Sequence, residues 1–199
     1  MLNLNVNMPK ELLPFAWLNG KWVGYGVKYS ENSETKDILV EMFFEIESCN
    51  NEYENNSWMK QTTHLYSVDE EKSPKVAPET SGKQGYEKLS LKNMIQSQTA
   101  YWYLGKEKTP TNKNTKSFEL QVINLTTQGR AGSWYGYIDG PVIQIATDGI
   151  LATKNAPKHG GERQLYGLVD SDLMMVAEKI DEDKNMNPIF SIRMSKVVE

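Results

Sequence analysis

The stretch Trp17-Leu18-Asn19-Gly20-Lys21-Trp22-Val23-Gly24-Tyr25-Gly26 decides the fold. Its glycines recur at every second or fourth position, and in a β-strand this spacing places them on one face. Glycine inside a strand marks either a sharp bend, as at a barrel corner, or a close approach by a ligand or another backbone. The sequence leaves both interpretations open. The apolar lead Leu12–Leu18 is too short for an independent helix and predicts one helical turn that caps a core.

The rest of the chain consists of short strand-like runs separated by turn residues, without the 3.6-residue apolar period of long helices. Asp139-Gly140 lies between two such runs and predicts a hairpin, and Asp148-Gly149 and Val169-Asp170-Ser171-Asp172 predict further tight turns. Ten or so short strands indicate an all-β up-and-down barrel or a sandwich. The predicted strands are Lys21–Tyr29, Ile38–Glu47, Trp58–Val68, Met94–Leu104, Ser117–Asn124, Ala131–Ile138, Val142–Thr147, Ile150–Thr153, Arg163–Val169, Leu173–Ile180 and Ile189–Val198.

Two polar stretches, Asp69–Asn93 and Gly105–Lys116, interrupt this rhythm and predict surface loops. The first is long enough to hold a small element of its own or to be mobile. The chain has 199 residues, of which 39% are hydrophobic and 24% charged, as in an ordinary globular protein. We therefore expect one domain over residues 1–199, with residues 1–11 as an N-terminal tail.

Charge and composition argue against several classes of function. The net charge is −4 and the basic residues are scattered, so we expect no nucleic acid partner. No apolar run approaches the ~20 residues of a membrane span, and a single cysteine, Cys49, fits a reducing, cytoplasmic location. Phosphate-loop, serine-elbow and zinc-helix motifs are missing from the sequence. The residues by themselves predict no catalytic group and no metal site.

Three stretches carry a resemblance to the nitrobindin family. Gly20–Gly26 resembles its G-x-W-x-G-x-G signature. The run from Ser97 to Trp102 is similar to the family's H-S-E-T-G-Y-W, with Gln96 where the histidine stands. Ile145–Asp148 followed by Arg163–Val169 is similar to the T-D and R-L-Y-G-L-V pair of actinobacterial members. The resemblance runs from about Leu12 to Val198.

The resemblance implies a ten-stranded antiparallel up-and-down β-barrel, like the fatty-acid-binding proteins and lipocalins, with a pocket at one end for ferric haem. It also implies peroxynitrite isomerisation and a haem-ligating histidine on the last strand, within a P-H-L-S-x-x-L pattern. Here Pro188-Ile189-Phe190-Ser191 stands instead, so Ile189 marks the position of a lost ligand, because isoleucine has no lone pair for iron. The ligand-binding motif implied is Gly20, Lys21, Trp22, Val23, Gly24, Tyr25 and Gly26.

Other side chains could replace the histidine. His64 falls in a predicted strand, where a half-buried or surface histidine is the commoner explanation. His159 lies in a glycine-rich turn and is most simply a solvated loop residue. Met186 and Met194 are conceivable weak ligands, although methionine usually fills cores. A tyrosine ligand is possible in principle, but ten tyrosines make any single choice arbitrary.

The last strand can present either of two faces to the interior. Apolarity favours the Phe190 face, whereas the family analogy favours the Ile189 face, which would bring Ser191 and Arg193 toward a ligand. A guanidinium inside a small barrel could pair with a carboxylate in a bidentate manner, and a solvated Arg193 on the outer face is the alternative. The candidate pocket residues are Ser191, Arg193, Gln96 and Thr99.

The leading hypothesis is a nitrobindin-like barrel with a small-molecule pocket, no histidine-bound haem, no cofactor and no catalytic activity. One alternative is a peroxynitrite isomerase that keeps haem b through a substitute axial ligand. Another is a carrier or sensor of a small amphipathic, fatty-acid-like molecule. We expect a small hydrophobic or amphipathic partner and no membrane, and the oligomeric state, a homodimer included, stays open.

Overall fold

Ten antiparallel strands close into a single barrel. The computed structural model describes residues 8–30, 34–50, 55–110, 115–157, 160–180 and 185–197. Each strand pairs with its neighbours in the chain, and β1 closes the barrel against β10, so the predicted ten-stranded up-and-down fold is confirmed. The strands are β1 (Gly20–Tyr29), β2 (Thr35–Asn50), β3 (Asn55–Val68), β4 (Leu91–Lys108), β5 (Ser117–Thr126), β6 (Arg130–Asp139), β7 (Val142–Ala152), β8 (Glu162–Val169), β9 (Asp172–Ile180) and β10 (Met186–Lys196).

A 3-10 helix, Lys10–Phe15, closes one end of the barrel, as the apolar lead predicts. Its Leu12 and Phe15 are fully buried in the main core. The Phe15 ring meets the edge of Trp102 with 6.4 Å between centroids, and Trp102 in turn contacts Phe44 and Tyr166 at 6.2 and 5.7 Å. Edge-to-face aromatic packing of this kind adds to the hydrophobic gain from burial. The closed end is therefore a solid aromatic core.

The glycines of β1 lie against the backbone of β10. A Cβ at Gly24 would overlap the carbonyl oxygen of Arg193, and a Cβ at Gly26 would overlap that of Ser191. Both glycines are buried and belong to the register that pairs β1 with β10. Of the two interpretations of this stretch, close approach of another backbone is the one the structure shows at these positions.

The polar stretch after β3 contains a short helix, α1 (Gly82–Lys88), so this loop does hold an element of its own. The helix packs on the outer wall of β1 and β10, and the side chain of Ser81 caps its first turn. Among the described residues, neither helix is long and apolar enough to cross a membrane.

A buried carboxylate on the outer wall fastens α1 to the barrel. Asp172 is only 5% exposed and accepts hydrogen bonds from the Arg193 side chain (2.6 Å), the Ser195 hydroxyl (2.5 Å) and the backbone N–H of Gly82 (3.1 Å). The hydroxyl of Tyr25 donates to the carbonyl oxygen of Thr80 at 2.9 Å. We call these contacts the Asp172 latch.

Several predicted strand ends differ from the structure by a few residues, and two differences change the reading of a segment. Asp148-Gly149 does not form a turn, because Val142–Ala152 is one continuous strand. The register with β6 shifts at Ser133 and Trp134, which face Gly149 and Thr147, so Asp148 sits in a bulge. Strand β4 also extends to Lys108, into a stretch that its polar composition predicted to be a loop.

Candidate functional site

The end of the barrel opposite the 3-10 helix encloses a cavity of about 910 Å³. This volume lies in the range of small-molecule binding sites, roughly 300–1,000 Å³. The mouth is bordered by Lys28 at the end of β1, Gln128 in the β5–β6 turn and Ala156 in the β7–β8 connection. Trp134 and Tyr166 line the cavity on the side of the aromatic core. The cavity therefore extends from these border residues inward to the aromatic core.

One wall of the cavity, on β4 to β6, is polar. Gln98, Thr126 and Arg130 are successive cross-strand partners, since Gln98 faces Thr126 and Thr126 faces Arg130. All three border the cavity. The Thr126 hydroxyl is buried and has no hydrogen-bond partner among the described residues. We call these three residues the polar row.

The opposite wall, on β9 and β10, is apolar. Met175, Ile189, Phe190 and Ile192 border the cavity there. The pairing of β10 with β9 is irregular between Pro188 and Phe190, and this bulge lets the neighbours Ile189 and Phe190 both reach the cavity. Proline cannot donate a ladder hydrogen bond and is tolerated at bulges, which accounts for the position of the irregularity. The cavity is thus amphipathic across its width.

Two hydrogen-bond networks stiffen the floor. Trp102 Nε1 donates to Gln61 Oε1 at 2.9 Å, and Gln61 Nε2 donates to the Thr63 hydroxyl at 3.0 Å. The Tyr166 hydroxyl donates to Gln164 Oε1 at 2.7 Å, and Gln164 Nε2 donates to Glu162 at 2.7 Å. Burial raises the pKa of the Tyr166 phenol well above its ordinary value of 10, so this group is a neutral donor.

Positive charges predominate among the described residues around the mouth. Of these residues, the cations Lys28, Arg130 and Lys179 border the cavity together with one carboxylate, Glu162, which faces Lys179 across β8 and β9. Lys28 Nζ lies 6.0 Å from the centre of the Phe190 ring, and Arg130 donates to the Gln128 carboxamide. Among the described residues, Lys28 and Arg130 have no carboxylate partner. Such a mouth favours an anionic group.

None of the seven residues Gly20–Gly26 borders the cavity, although the resemblance implies them as a ligand-binding motif. Gly24 and Gly26 make the β1–β10 seam, and Tyr25 belongs to the Asp172 latch. Trp22 is buried and donates from Nε1 to the carbonyl oxygen of Leu18 at 2.7 Å, near the closed end. The motif therefore shapes the barrel wall. The β1 side chain that reaches the cavity is Lys28, which follows Gly26 by two residues on the same face of the strand.

Of the four candidate pocket residues, Gln96 alone borders the cavity. Ser191 and Arg193 follow Phe190 with ordinary strand alternation, so they face outward, and Arg193 pairs with Asp172 there. Thr99 alternates with the buried Ala100 and also faces away from the interior. The face of β10 that apolarity favours, with Phe190 and Ile192, is the inner one. Ile189 also borders the cavity because of the bulge between Pro188 and Phe190.

The sequence did not single out the polar row. Arg130 and Trp134 are four residues apart on the same face of β6, so alternation from the buried Trp134 would have found it. Gln98 lies within the stretch that resembles the family run. That its side chain points inward could be established only from its pairing with Thr63 and Thr126.

His64, Met186 and Met194, the candidate substitute ligands that the structure describes, do not border the cavity. His64 is on the outer face of β3, beside Tyr66, and its Nδ1 is buried without a partner among the described residues. Met194 is fully buried in the core, Met186 is exposed near the start of β10, and neither borders the cavity. His159 lies outside the described residues.

The haem that the resemblance implies would need an axial ligand from the cavity lining. Among the described residues, no histidine or cysteine borders the cavity, and no cluster of three or more His, Cys, Asp or Glu could hold a metal ion. Tyr166 is a neutral phenol committed to Gln164, whereas tyrosine binds haem iron as the anion. Of the other side chains that commonly ligate haem iron, the described lining offers the thioethers of Met42 and Met175. The described lining therefore does not fit histidine-ligated haem.

Comparisons with known proteins agree with the fold. A "Ferric nitrobindin-like protein" from Streptomyces griseus is 26% identical over 200 residues, covering 100% of this chain and 87% of the relative. A "Peroxynitrite isomerase" from Leifsonia xyli is 23% identical, covering 98% of this chain and 99% of the relative. The crystal structure of Rv2717c from M. tuberculosis superposes with a TM-score of 0.65 at 12% identity, over 96% of this chain and 100% of that one. Residues 11–196 match the family described as the THAP4-like, heme-binding beta-barrel domain, and the chain belongs to that family.

Proposed function

We propose that this protein is a nitrobindin-family barrel that binds a small amphipathic molecule in its cavity, without histidine-ligated haem and without peroxynitrite isomerase activity. The observation that carries the proposal is the position of Ile189. This side chain borders the cavity at the β10 bulge, where the family resemblance places a haem-ligating histidine. An aliphatic side chain there supplies contact area and no coordination bond.

The cavity itself supports a retained binding role. The cavity keeps a volume of about 910 Å³, and its lining combines an apolar wall with convergent polar groups. Sites of this kind orient a ligand through a few polar contacts and hold it through apolar burial. A barrel kept only as a scaffold would gain stability by filling such a space.

The second candidate is haem b held through a substitute axial ligand. Met42 and Met175 favour it, because both thioethers border the cavity. A methionine in haem proteins commonly acts opposite a histidine, and thioether sulfur is a weak ligand for the ferric iron that peroxynitrite isomerisation would use. The polar row also offers few apolar contacts to one face of a flat macrocycle.

Titration of the purified protein with ferric haem, followed by absorbance, distinguishes the two candidates. We expect weak binding with a broad Soret band, unchanged in His64→Ala, His159→Ala and Met175→Leu. The haem-supplied protein should leave the decay of peroxynitrite at its uncatalysed rate in stopped-flow measurements. A sharp, stoichiometric histidine-type spectrum that His159→Ala abolishes would show that the iron site is intact and would overturn the proposal.

A further inference from the structure

We infer that the polar row of Gln98, Thr126 and Arg130 is a binding subsite for the carboxylate of the ligand, whose apolar body lies along Met175, Ile189, Phe190 and Ile192. The inference rests on the proposed small-molecule cavity and names the chemical class of its occupant, an organic acid with a compact apolar body.

The geometry of the row gives the first argument. Directly opposed residues on neighbouring antiparallel strands have Cβ atoms about 5 Å apart. Gln98, Thr126 and Arg130 therefore present a carboxamide, a hydroxyl and a guanidinium at one height on three adjacent strands. Each of the three can donate hydrogen bonds, and the guanidinium fork matches the two oxygens of a carboxylate.

The unsatisfied hydrogen-bonding capacity gives the second argument. The buried Thr126 hydroxyl has no partner among the described residues, and an unpaired buried hydroxyl keeps the full cost of its lost contact with water. Because the hydroxyl oxygen itself is buried, a rotation of the Thr126 side chain toward the cavity would let an acceptor between Gln98 and Arg130 complete its hydrogen bonds. The deeper polar groups need no such acceptor, since Gln61 and Gln164 are engaged in the floor networks.

Charge gives the third argument. Arg130 borders the cavity, and its partner among the described residues is the neutral carboxamide of Gln128. The other arginines described behave differently: Arg163 pairs with Glu178, and Arg193 pairs with Asp172. Arg130 is thus the described arginine that has no carboxylate partner within the part of the chain that the structure describes.

The apolar wall sets the rest of the ligand. Ile189, Phe190 and Ile192 stand on β10, across the barrel from β5, in the closed strand order. A molecule anchored at Thr126 and Arg130 must cross the cavity to bury its apolar part against this wall. Neutral lipids and sugars would each leave one of the two walls without a matching surface.

Calorimetric titration with octanoate and with octan-1-ol tests the inference, because the two probes share an alkyl chain and differ in the head group. We expect the parent protein to prefer octanoate. Arg130→Gln should weaken octanoate binding by roughly 10- to 100-fold, and Thr126→Val by about threefold to tenfold, while octan-1-ol changes by less than about twofold. Arg130→Lys keeps the positive charge but lacks the two parallel donors of the guanidinium. Its affinity for octanoate should lie between that of the parent and that of Arg130→Gln.

Lys106→Gln is the matched control, because it removes one positive charge from an exposed position on β4 outside the cavity. Circular dichroism and thermal unfolding verify that each variant is folded. Equal binding of octanoate and octan-1-ol by the parent, or an Arg130→Gln variant that keeps octanoate affinity within twofold, would overturn the carboxylate subsite and leave the proposed function standing. A parent that binds neither probe, nor anilinonaphthalene sulfonate, would overturn both.

Discussion

The carboxamide oxygen of Asn124 occupies the space in which a side chain at Gly132 would lie. The two residues face each other across β5 and β6, and a Cβ at Gly132 would stand 2.8 Å from Asn124 Oδ1 and 3.0 Å from Trp134 Nε1. Asn124 Oδ1 accepts a hydrogen bond from Trp134 Nε1 at 3.1 Å. Glycine at this position is therefore a condition for the indole to be fixed on the cavity wall.

Gly132→Ala should displace the Asn124–Trp134 pair. The overpacking costs about 1–3 kcal/mol, and alanine recovers about 0.5–1 kcal/mol of backbone entropy, so we expect a net loss near 1 kcal/mol of unfolding free energy. Urea denaturation measures the loss, and a changed Trp emission spectrum reports the displaced indole. Gly167→Ala is the control, because the nearest atom to its Cβ would be 4.0 Å away. Equal stability of the two variants would contradict the packing described at Gly132.

Ile189→His should give the cavity an imidazole. We expect a stability cost on the order of 1–2 kcal/mol and a histidine-type Soret band on addition of ferric haem. Since the bulge also brings Phe190 to the cavity, Phe190→His is the second position to test. Ser191→His, on the outer face, should leave the spectrum of the parent unchanged. A histidine-type spectrum in Ser191→His would mean that the direction of β10 side chains is reversed.

Arg193→Met should release the Asp172 latch. The substitution leaves the buried side chain of Asp172 without its cation, and the loss of a fully buried pair costs about 3–5 kcal/mol. Arg193 keeps 19% exposure, so we expect a smaller loss of about 2–3 kcal/mol in urea denaturation, together with faster hydrogen exchange in α1. Lys83→Gln breaks the exposed Lys83–Glu87 pair and should cost less than about 0.5 kcal/mol. A similar small effect for Arg193→Met would show that the latch contributes little.

Tyr166 should make the protein less stable in alkali. Its pKa is raised in the folded protein, so above about pH 10 the unfolded chain ionises while the folded protein keeps its proton. The contribution of Tyr166 to the free energy of unfolding is therefore fully present below pH 10. It declines as the pH rises from 10 toward the pKa of Tyr166 in the folded protein. Tyr166→Phe should flatten that decline, at a cost of about 1–2 kcal/mol at pH 7 from the donor lost to Gln164. Parallel stability curves for the two proteins above pH 10 would contradict this assignment.

Sequence reasoning could predict the barrel because its signals are local. The Asp139-Gly140 turn, the alternation of Trp134 and Ile138, and the missing helical period each depend on neighbouring residues only. Asp148-Gly149 misled the prediction for the same reason, since a bulge and a turn use similar residues. What separates them is the continued pairing of β7 with β6, which involves residues distant in sequence.

The site was harder to predict, and Pro188 shows why. Alternation and family analogy gave opposite directions for β10, and each is right over part of the strand. The bulge between Pro188 and Phe190 places Ile189 at the cavity and also keeps Phe190 and Ile192 inward. Alternation counted from Ile189 across the bulge sends Arg193 inward, whereas its partner is Asp172 on the outer wall. Pro188 directly precedes the predicted strand Ile189–Val198, and a proline in that position is the signal that alternation should be counted from beyond the irregularity.

The position of α1 has a kinetic consequence. The Asp172 latch holds this helix on the outer wall, and among the described residues no helix lies across the mouth of the cavity. Entry and exit of a small molecule would therefore not depend on movement of α1. Its residence time would instead depend on how well the two walls of the cavity hold it. Single substitutions in the lining would then change the exchange rate while α1 stays in place.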